Sequence, residues 1–85
     1  MKSFTYTVND ELGIHARPAG VIAKEAKNYT STITIEGNGK SAEAVKLIAL
    51  MGLGVKKGVT VTVKADGADE AQAIAAMEAL FKANL

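Results

Sequence analysis

The chain of 85 residues contains no cysteine and no tryptophan, and it has only one histidine and one proline. Without cysteine there are no disulfides, no thiol nucleophiles and no thiolate metal ligands. With His15 as the only histidine, a structural zinc site is excluded, because such a site needs a full set of cysteine and histidine ligands. We therefore expect no metal and no other cofactor.

The sequence also lacks an excess of one charge and lacks long apolar runs. Ten Lys and Arg residues stand against nine Asp and Glu residues, for a formal net charge of +1. Nucleic-acid binding is disfavoured, because it needs enough basic residues to neutralise several phosphates. No stretch reaches the ~18 apolar residues of a membrane span, and the N-terminus lacks the apolar core of a secretion signal. We expect a monomeric, cytoplasmic protein without membrane insertion, with one domain over residues 1–85.

Four segments are predicted to form strands. Apolar and polar residues alternate, as in strands with one buried face, in residues 2–8, 30–37 and 58–67. The Asn38-Gly39 pair predicts a hairpin, which puts a short further strand at Lys40–Ala44. The polar faces are rich in threonine, which favours an antiparallel sheet with one face in solvent.

Three helices are expected, over Ala16–Lys27, Val45–Met51 and Asp69–Asn84. Asp69 and Gln72 have the spacing of a capping box at the start of the last helix. The element order is therefore βαββαβα. One-faced strands combined with amphipathic helices predict an α+β fold of two layers, with the helices on the apolar face of the sheet.

The histidine and the proline lie together in the hexapeptide GIHARP, residues 13–18. If the first helix begins at Ala16, His15 is its N-cap, and the amides of Ala16 and Arg17 have no partner inside the helix. Such a helix start attracts anions, and its dipole favours the neutral, nucleophilic imidazole. The guanidinium of Arg17 suits phosphate oxygens. These features fit a phosphoryl group carried on the imidazole.

On the residues alone, two other interpretations of His15 stay open. A lone histidine at a helix start is commonly an unreactive cap or surface residue. A Ser-His-Asp triad would take its carboxylate from Asp10 or Glu11, although no pattern marks a nucleophilic serine. Glycine-rich phosphate-binding motifs are absent, since GLGVKKG at residues 52–58 has neither required spacing.

The short second helix carries more apolar residues than one face of two turns can bury. Its region contains Leu47, Ile48, Leu50, Met51 and Leu53. One interpretation is a helix buried on nearly all sides. The functional interpretation is an apolar patch of Leu47, Ile48 and Met51 beside His15 that docks partners, with methionine adapting to several of them.

The segment GIHARPAG resembles the active-site segment of HPr, the histidine-containing phosphocarrier family of the bacterial phosphoenolpyruvate:sugar phosphotransferase system. The resemblance extends over NGKSAEAVKLIALMGLGVKKG and VTVKADGADEAQAI, and length and element order agree. It implies an open-faced β-sandwich, with three helices on one face of a four-stranded antiparallel sheet. It also implies a carrier rather than an enzyme.

The resemblance further implies roles for individual residues. His15 would accept phosphate on Nδ1, as pros-phosphohistidine, from enzyme I, and would pass it to the IIA domains of sugar permeases. Arg17 would support the phosphoryl group. The surface around the second helix would meet both partners, which agrees with docking through the apolar patch. Positive charge that steers acidic partners, or that only aids solubility, is available from Lys24, Lys27 and Lys46.

The sequence departs from the family pattern at two positions. The family's regulatory serine falls where this chain has Lys46, which cannot be esterified, and the nearby Ser41 does not align with that serine. We therefore expect no regulatory serine. Leu12 stands where many members have a small polar residue near the histidine, so one hydrogen bond to the phosphate is expected to be missing.

Two further functions stay open. One is a paralogous phosphocarrier of a regulatory, nitrogen-related phosphorelay, in which His15 would act in the same way. The other is a non-catalytic module that binds a regulator through the apolar patch. RNA binding by the sheet is disfavoured, because its polar face carries threonine and glutamate instead of aromatic stacking residues.

Overall fold

The computed structural model describes all 85 residues. The elements are β1 (Lys2–Thr7), α1 (Ala16–Ala26), β2 (Thr32–Gly37), β3 (Lys40–Glu43), α2 (Leu47–Gly52), β4 (Thr60–Asp66) and α3 (Glu70–Asn84). The strands form one antiparallel sheet in the order β1-β4-β2-β3, and the three helices cover one of its faces. The predicted fold class and element order are confirmed, with helix and strand ends within two residues of the predicted ones.

The hairpin between β2 and β3 turns through two residues. Asn38 and Gly39 both have left-handed backbone angles, with φ of 53° and 74°, and Gly37 pairs with Lys40 across the turn. Two positive φ values in succession define the turn whose twist matches that of the paired strands. The hairpin predicted from Asn-Gly is confirmed.

Alternating residues of the strands build the core. Ile35 of β2 lies opposite Val63 of β4, and both are fully buried under the helices. Phe81 of α3 is also fully buried and meets Phe4 and Tyr6 of β1 edge-on, with ring centroids 5.7 and 5.9 Å apart. These contacts fasten α3 to the edge of the sheet opposite β3.

The predicted capping box at the start of α3 is wrong. Asp69 is the N-cap, but its carboxylate accepts no hydrogen bond from its own helix, since its backbone (φ −105°, ψ 26°) is not the extended one that capping needs. It accepts hydrogen bonds from the Ser31 hydroxyl and from the Thr30 and Ser31 amides instead. These bonds, the Ser31 hydroxyl first, lower the pKa of Asp69 from 3.8 to about 2. Asp69 therefore ties α3 to the loop before β2.

Candidate functional site

The loop between β1 and α1 (residues 8–15) is held by hydrogen bonds to its own backbone and to the next loop. The Asp10 carboxylate accepts from the Leu12 amide at 2.9 Å, and the Asp10 carbonyl accepts from the Gly13 amide at 3.0 Å. The Ile14 amide donates to the carbonyl of Val55 at 3.0 Å. This last bond joins the β1–α1 loop to the loop between α2 and β4 (residues 53–59), next to His15.

Glycine is required at position 13 for the β1–α1 and α2–β4 loops to lie this close together. Its φ of +64° is one that side chains rarely adopt, and a Cβ at this position would overlap the Val55 carbonyl oxygen and lie 2.6 Å from Lys56 Cα. The α2–β4 loop therefore packs directly against Gly13, and no local pattern in the sequence signals that contact.

His15 is the N-cap of α1, as predicted. Its backbone is extended (φ −100°, ψ −170°), and its carbonyl accepts from the Ala19 amide at 2.9 Å. The imidazole is half-buried and takes no part in capping. No hydrogen bond or ion pair joins it to Asp10 or Glu11, so the triad left open by the sequence is not formed. Both ring nitrogens are available for chemistry.

The first turn of α1 presents unused hydrogen-bond donors. The amides of Ala16 and Arg17 have no acceptor within the chain, and both residues are exposed. Pro18, which lacks an amide hydrogen, is buried in the same turn. The first turn holds no acidic residue, and the Arg17 guanidinium forms no ion pair. This turn therefore offers two amides, a guanidinium and the positive end of a helix dipole to an anion.

The second helix is neither fully buried nor fully exposed. Leu50 and Leu53 are buried, whereas 39% of Leu47, 78% of Ile48 and 40% of Met51 is exposed. The exposed three stand at positions i, i+1 and i+4 and share one face of α2. The interpretation of α2 as buried on all sides is therefore wrong. α2 packs against α1, and His15 is the N-cap residue of α1.

Of the three lysines considered for steering, one is already paired. Lys46 is the N-cap residue of α2, and its ammonium donates to a Glu43 carboxylate oxygen at 2.9 Å, which raises the pKa of Lys46. Lys24 in the last turn of α1 and Lys27 at its C-cap are exposed and form no ion pair. Of these three lysines, Lys24 and Lys27 are therefore the two whose charge is unpaired.

The candidate site is an open surface. A pocket of about 460 Å³ lies elsewhere, at the β2–β3 hairpin. It is lined by Glu36, Gly37, Gly39, Lys40 and Ser41. His15 is not part of it. No three His, Asp or Glu side chains are grouped to hold a metal ion, and no helix is long and apolar enough to cross a membrane.

The family model described as "PTS HPr component phosphorylation site" matches residues 2–83. The chain belongs to the HPr family. It is 42% identical to the phosphocarrier protein HPr of Mycoplasma genitalium, over 99% of this chain and 97% of that protein. The family assigns to the chain the role of a phosphocarrier of the phosphotransferase system, which is a carrier and not an enzyme.

Solved structures agree with this membership. A mycoplasma histidine-containing phosphocarrier protein superimposes with a TM-score of 0.91 at 39% identity, covering 93% of this chain and 90% of its own. HPr from Thermoanaerobacter tengcongensis, described as a dimer, superimposes with a TM-score of 0.77 at 35% identity, over 98% of this chain and 95% of its own.

Proposed function

We propose that this phosphocarrier takes its phosphoryl group on His15 from enzyme I, which is charged by phosphoenolpyruvate, and delivers it to IIA domains of sugar permeases. The observation that carries this assignment is the imidazole at the start of α1, which has no partner in the chain and lies beside the free amides of Ala16 and Arg17. Membership of a phosphocarrier family supports it.

In the proposed transfer, the Nδ1 lone pair of His15 attacks phosphorus, and the bond from phosphorus to the donor atom of enzyme I breaks, with its electron pair returning to that atom. Delivery to a IIA domain reverses these roles. The amides of Ala16 and Arg17 and the Arg17 guanidinium stabilise the charge on the phosphoryl oxygens. Phosphoryl transfer depends mainly on positioning and on charge stabilisation, so an open site completed by the partner suffices.

Docking is assigned to the apolar patch, with Lys24 and Lys27 as free positive charges that steer acidic partners. Exposed apolar side chains on one helix face are typical of such surfaces. We further propose that residues 1–85 act as a single HPr-like domain, monomeric and cytoplasmic. Size-exclusion chromatography with light scattering tests the monomer, and a stable dimer would refute it.

Control through a regulatory serine is proposed to be absent. Lys46 occupies the corresponding position and is engaged with Glu43, so ATP and an HPr kinase should leave residues 41–48 unmodified. Mass spectrometry of the treated protein tests this, and a phosphate on Ser41 would contradict it.

The main experiment incubates the protein with enzyme I and phosphoenolpyruvate. Mass spectrometry should show one acid-labile phosphate on His15, and His15→Ala should take up none. Arg17→Ala should keep the fold, as judged by circular dichroism, but be phosphorylated more slowly. Label retained by His15→Ala would overturn the assignment.

The same assay separates the remaining functions. Exchange of phosphate only with the enzyme I and IIA protein of a nitrogen-related phosphorelay would assign the chain to that branch. A regulator that binds with equal affinity before and after phosphorylation, and equally to His15→Ala, would favour the non-catalytic module.

A further inference from the structure

Asn38 does more than turn the β2–β3 hairpin. Its side-chain amide nitrogen donates to two successive carbonyl oxygens of the α2–β4 loop, that of Leu53 at 3.0 Å and that of Gly54 at 2.9 Å. Both carbonyls lie just beyond the end of α2, where backbone acceptors have no helical partner. The hairpin and the end of α2 are thus joined by one side chain, which we call the Asn38 clamp.

The α2–β4 loop that Asn38 binds also holds the loop of His15. Val55 follows Gly54 directly, and its carbonyl accepts from Ile14, the neighbour of His15. The Val55 side chain is buried and leaves no space for a Cβ on Gly37, since a Cβ there would lie 2.8 Å from a Val55 methyl. The hairpin therefore fixes the position of the α2–β4 loop, and the loop in turn fixes the position of the Ile14 amide.

The same loop begins where the helix with the apolar patch ends. Leu53 is the C-cap of α2 and is buried, and Gly54 ends the helix with a left-handed φ of 67°. A shift of this loop would therefore move α2 and the β1–α1 loop relative to each other. The clamp supplies the side-chain hydrogen bonds that oppose such a shift.

We propose that Asn38 is a positioning residue for phosphoryl transfer, which sets the position of His15 relative to the apolar patch through the α2–β4 loop. This proposal rests on the proposed function. Asn38 does not touch the phosphoryl group. It acts by keeping Val55 where the Ile14 amide can reach it, while the docked partner is positioned by the apolar patch.

The proposal requires a hydrogen-bond donor at position 38, and not only a residue that tolerates positive φ. Asn38→Asp has nearly the same shape but presents carboxylate oxygens to two carbonyl oxygens, so the clamp becomes repulsive. Asn38→Gly keeps the left-handed backbone without strain and removes the side chain. Lys40→Gln is the matched control, because it changes the charge by the same amount as Asn38→Asp in the same hairpin, from an exposed side chain without an ion pair.

Two measurements on the full-length protein test the clamp, under conditions where urea titration shows each variant to be folded. By NMR, hydrogen exchange of the Ile14 amide should be about 5–30-fold faster in both Asn38 variants, as expected for one or two lost hydrogen bonds. With enzyme I, kcat should fall about tenfold, because His15 is displaced. KM should change less than about twofold, because the apolar patch is unaltered. Lys40→Gln should match the wild type in both.

The outcomes separate this proposal from the proposed function. If the wild type takes phosphate on His15 and the Asn38 variants keep its kcat, the positioning role is refuted, even where Ile14 exchange is faster. Equal loss of kcat in Lys40→Gln would refute it too, since charge would then be the cause. If the wild type takes no phosphate from enzyme I, the proposed function fails, and unchanged Ile14 exchange would independently refute the clamp.

Discussion

Three glycine-to-alanine substitutions separate two reasons for which a position needs glycine. At Gly20, inside α1, the backbone is helical and a Cβ would meet nothing within 4 Å. At Gly39 a Cβ also has open space, but φ is +74°. At Gly13 φ is +64° and a Cβ would overlap the carbonyl oxygen of Val55. Gly20→Ala therefore carries neither penalty, Gly39→Ala carries the backbone penalty alone, and Gly13→Ala carries both the backbone and the steric penalty.

The expected changes in unfolding free energy follow from these contacts. Gly20→Ala should stabilise the protein by about 0.5–1 kcal/mol, the usual cost of glycine inside a helix. Gly39→Ala should destabilise it by about 0.5–1 kcal/mol. A left-handed alanine costs about 1–2 kcal/mol, and the lower conformational entropy of the unfolded chain with alanine offsets part of that cost. Gly13→Ala should cost a further ~1–2 kcal/mol, because the loops must separate and the Ile14 hydrogen bond to Val55 is strained or lost.

Urea unfolding followed by circular dichroism measures all three variants. Gly13→Ala should also take phosphate from enzyme I at least about tenfold more slowly, because the loop that carries His15 is displaced, whereas Gly20→Ala and Gly39→Ala should react at nearly the wild-type rate. If Gly13→Ala is no less stable than Gly39→Ala, the α2–β4 loop moves away from the added methyl group at little cost in free energy. The loop would then not hold the position of His15.

The other predictions concern a carboxylate, the apolar patch and the core. The pKa of Asp69 is lowered from 3.8 to about 2, so its contribution to stability is present above about pH 4 and is lost as pH falls towards 2. Asp69→Asn should therefore have a lower free energy of unfolding than wild type at pH 7, and this difference should close at low pH. A difference that stays constant with pH in urea titrations would contradict this. Ile48→Ala should raise KM for enzyme I about 5–30-fold. Because Ile48 is 78% exposed, the free energy of unfolding should stay within ~0.5 kcal/mol of the wild-type value. An unchanged KM would remove Ile48 from the docking surface. Phe81→Leu should cost about 1–2 kcal/mol in thermal or urea unfolding by losing its edge-on contacts with Phe4 and Tyr6, and an unchanged stability would show that these contacts add nothing beyond burial.

Features set by neighbouring residues were predictable from the sequence. Alternation located the strands, and Asn38-Gly39 located the hairpin, because both depend on backbone preferences within a few residues. His15 as the N-cap followed from the helical pattern that starts after it. The partial exposure of α2 followed from counting apolar residues against two turns of helix.

Contacts between side chains and distant backbone groups could not be predicted. Asp69 has the spacing of a capping box, but the fold brings to it the Thr30 and Ser31 donors, which are 39 and 38 residues away in the sequence. Asn38 likewise meets carbonyls fifteen and sixteen residues away. No periodic pattern encodes such pairs, because they depend on how loops meet after the elements have packed.

The open form of the site has a consequence for the order of events in the proposed transfer. In that transfer one imidazole and one apolar patch would serve both the phosphate donor and the phosphate acceptor, so enzyme I and a IIA domain could not bind at the same time. The carrier must therefore leave the first partner before it meets the second, which favours modest affinity and fast release over tight docking. A patch of three partly exposed side chains and two unpaired lysines suits that requirement, since rim charges chiefly raise the association rate and add little to the lifetime of the complex.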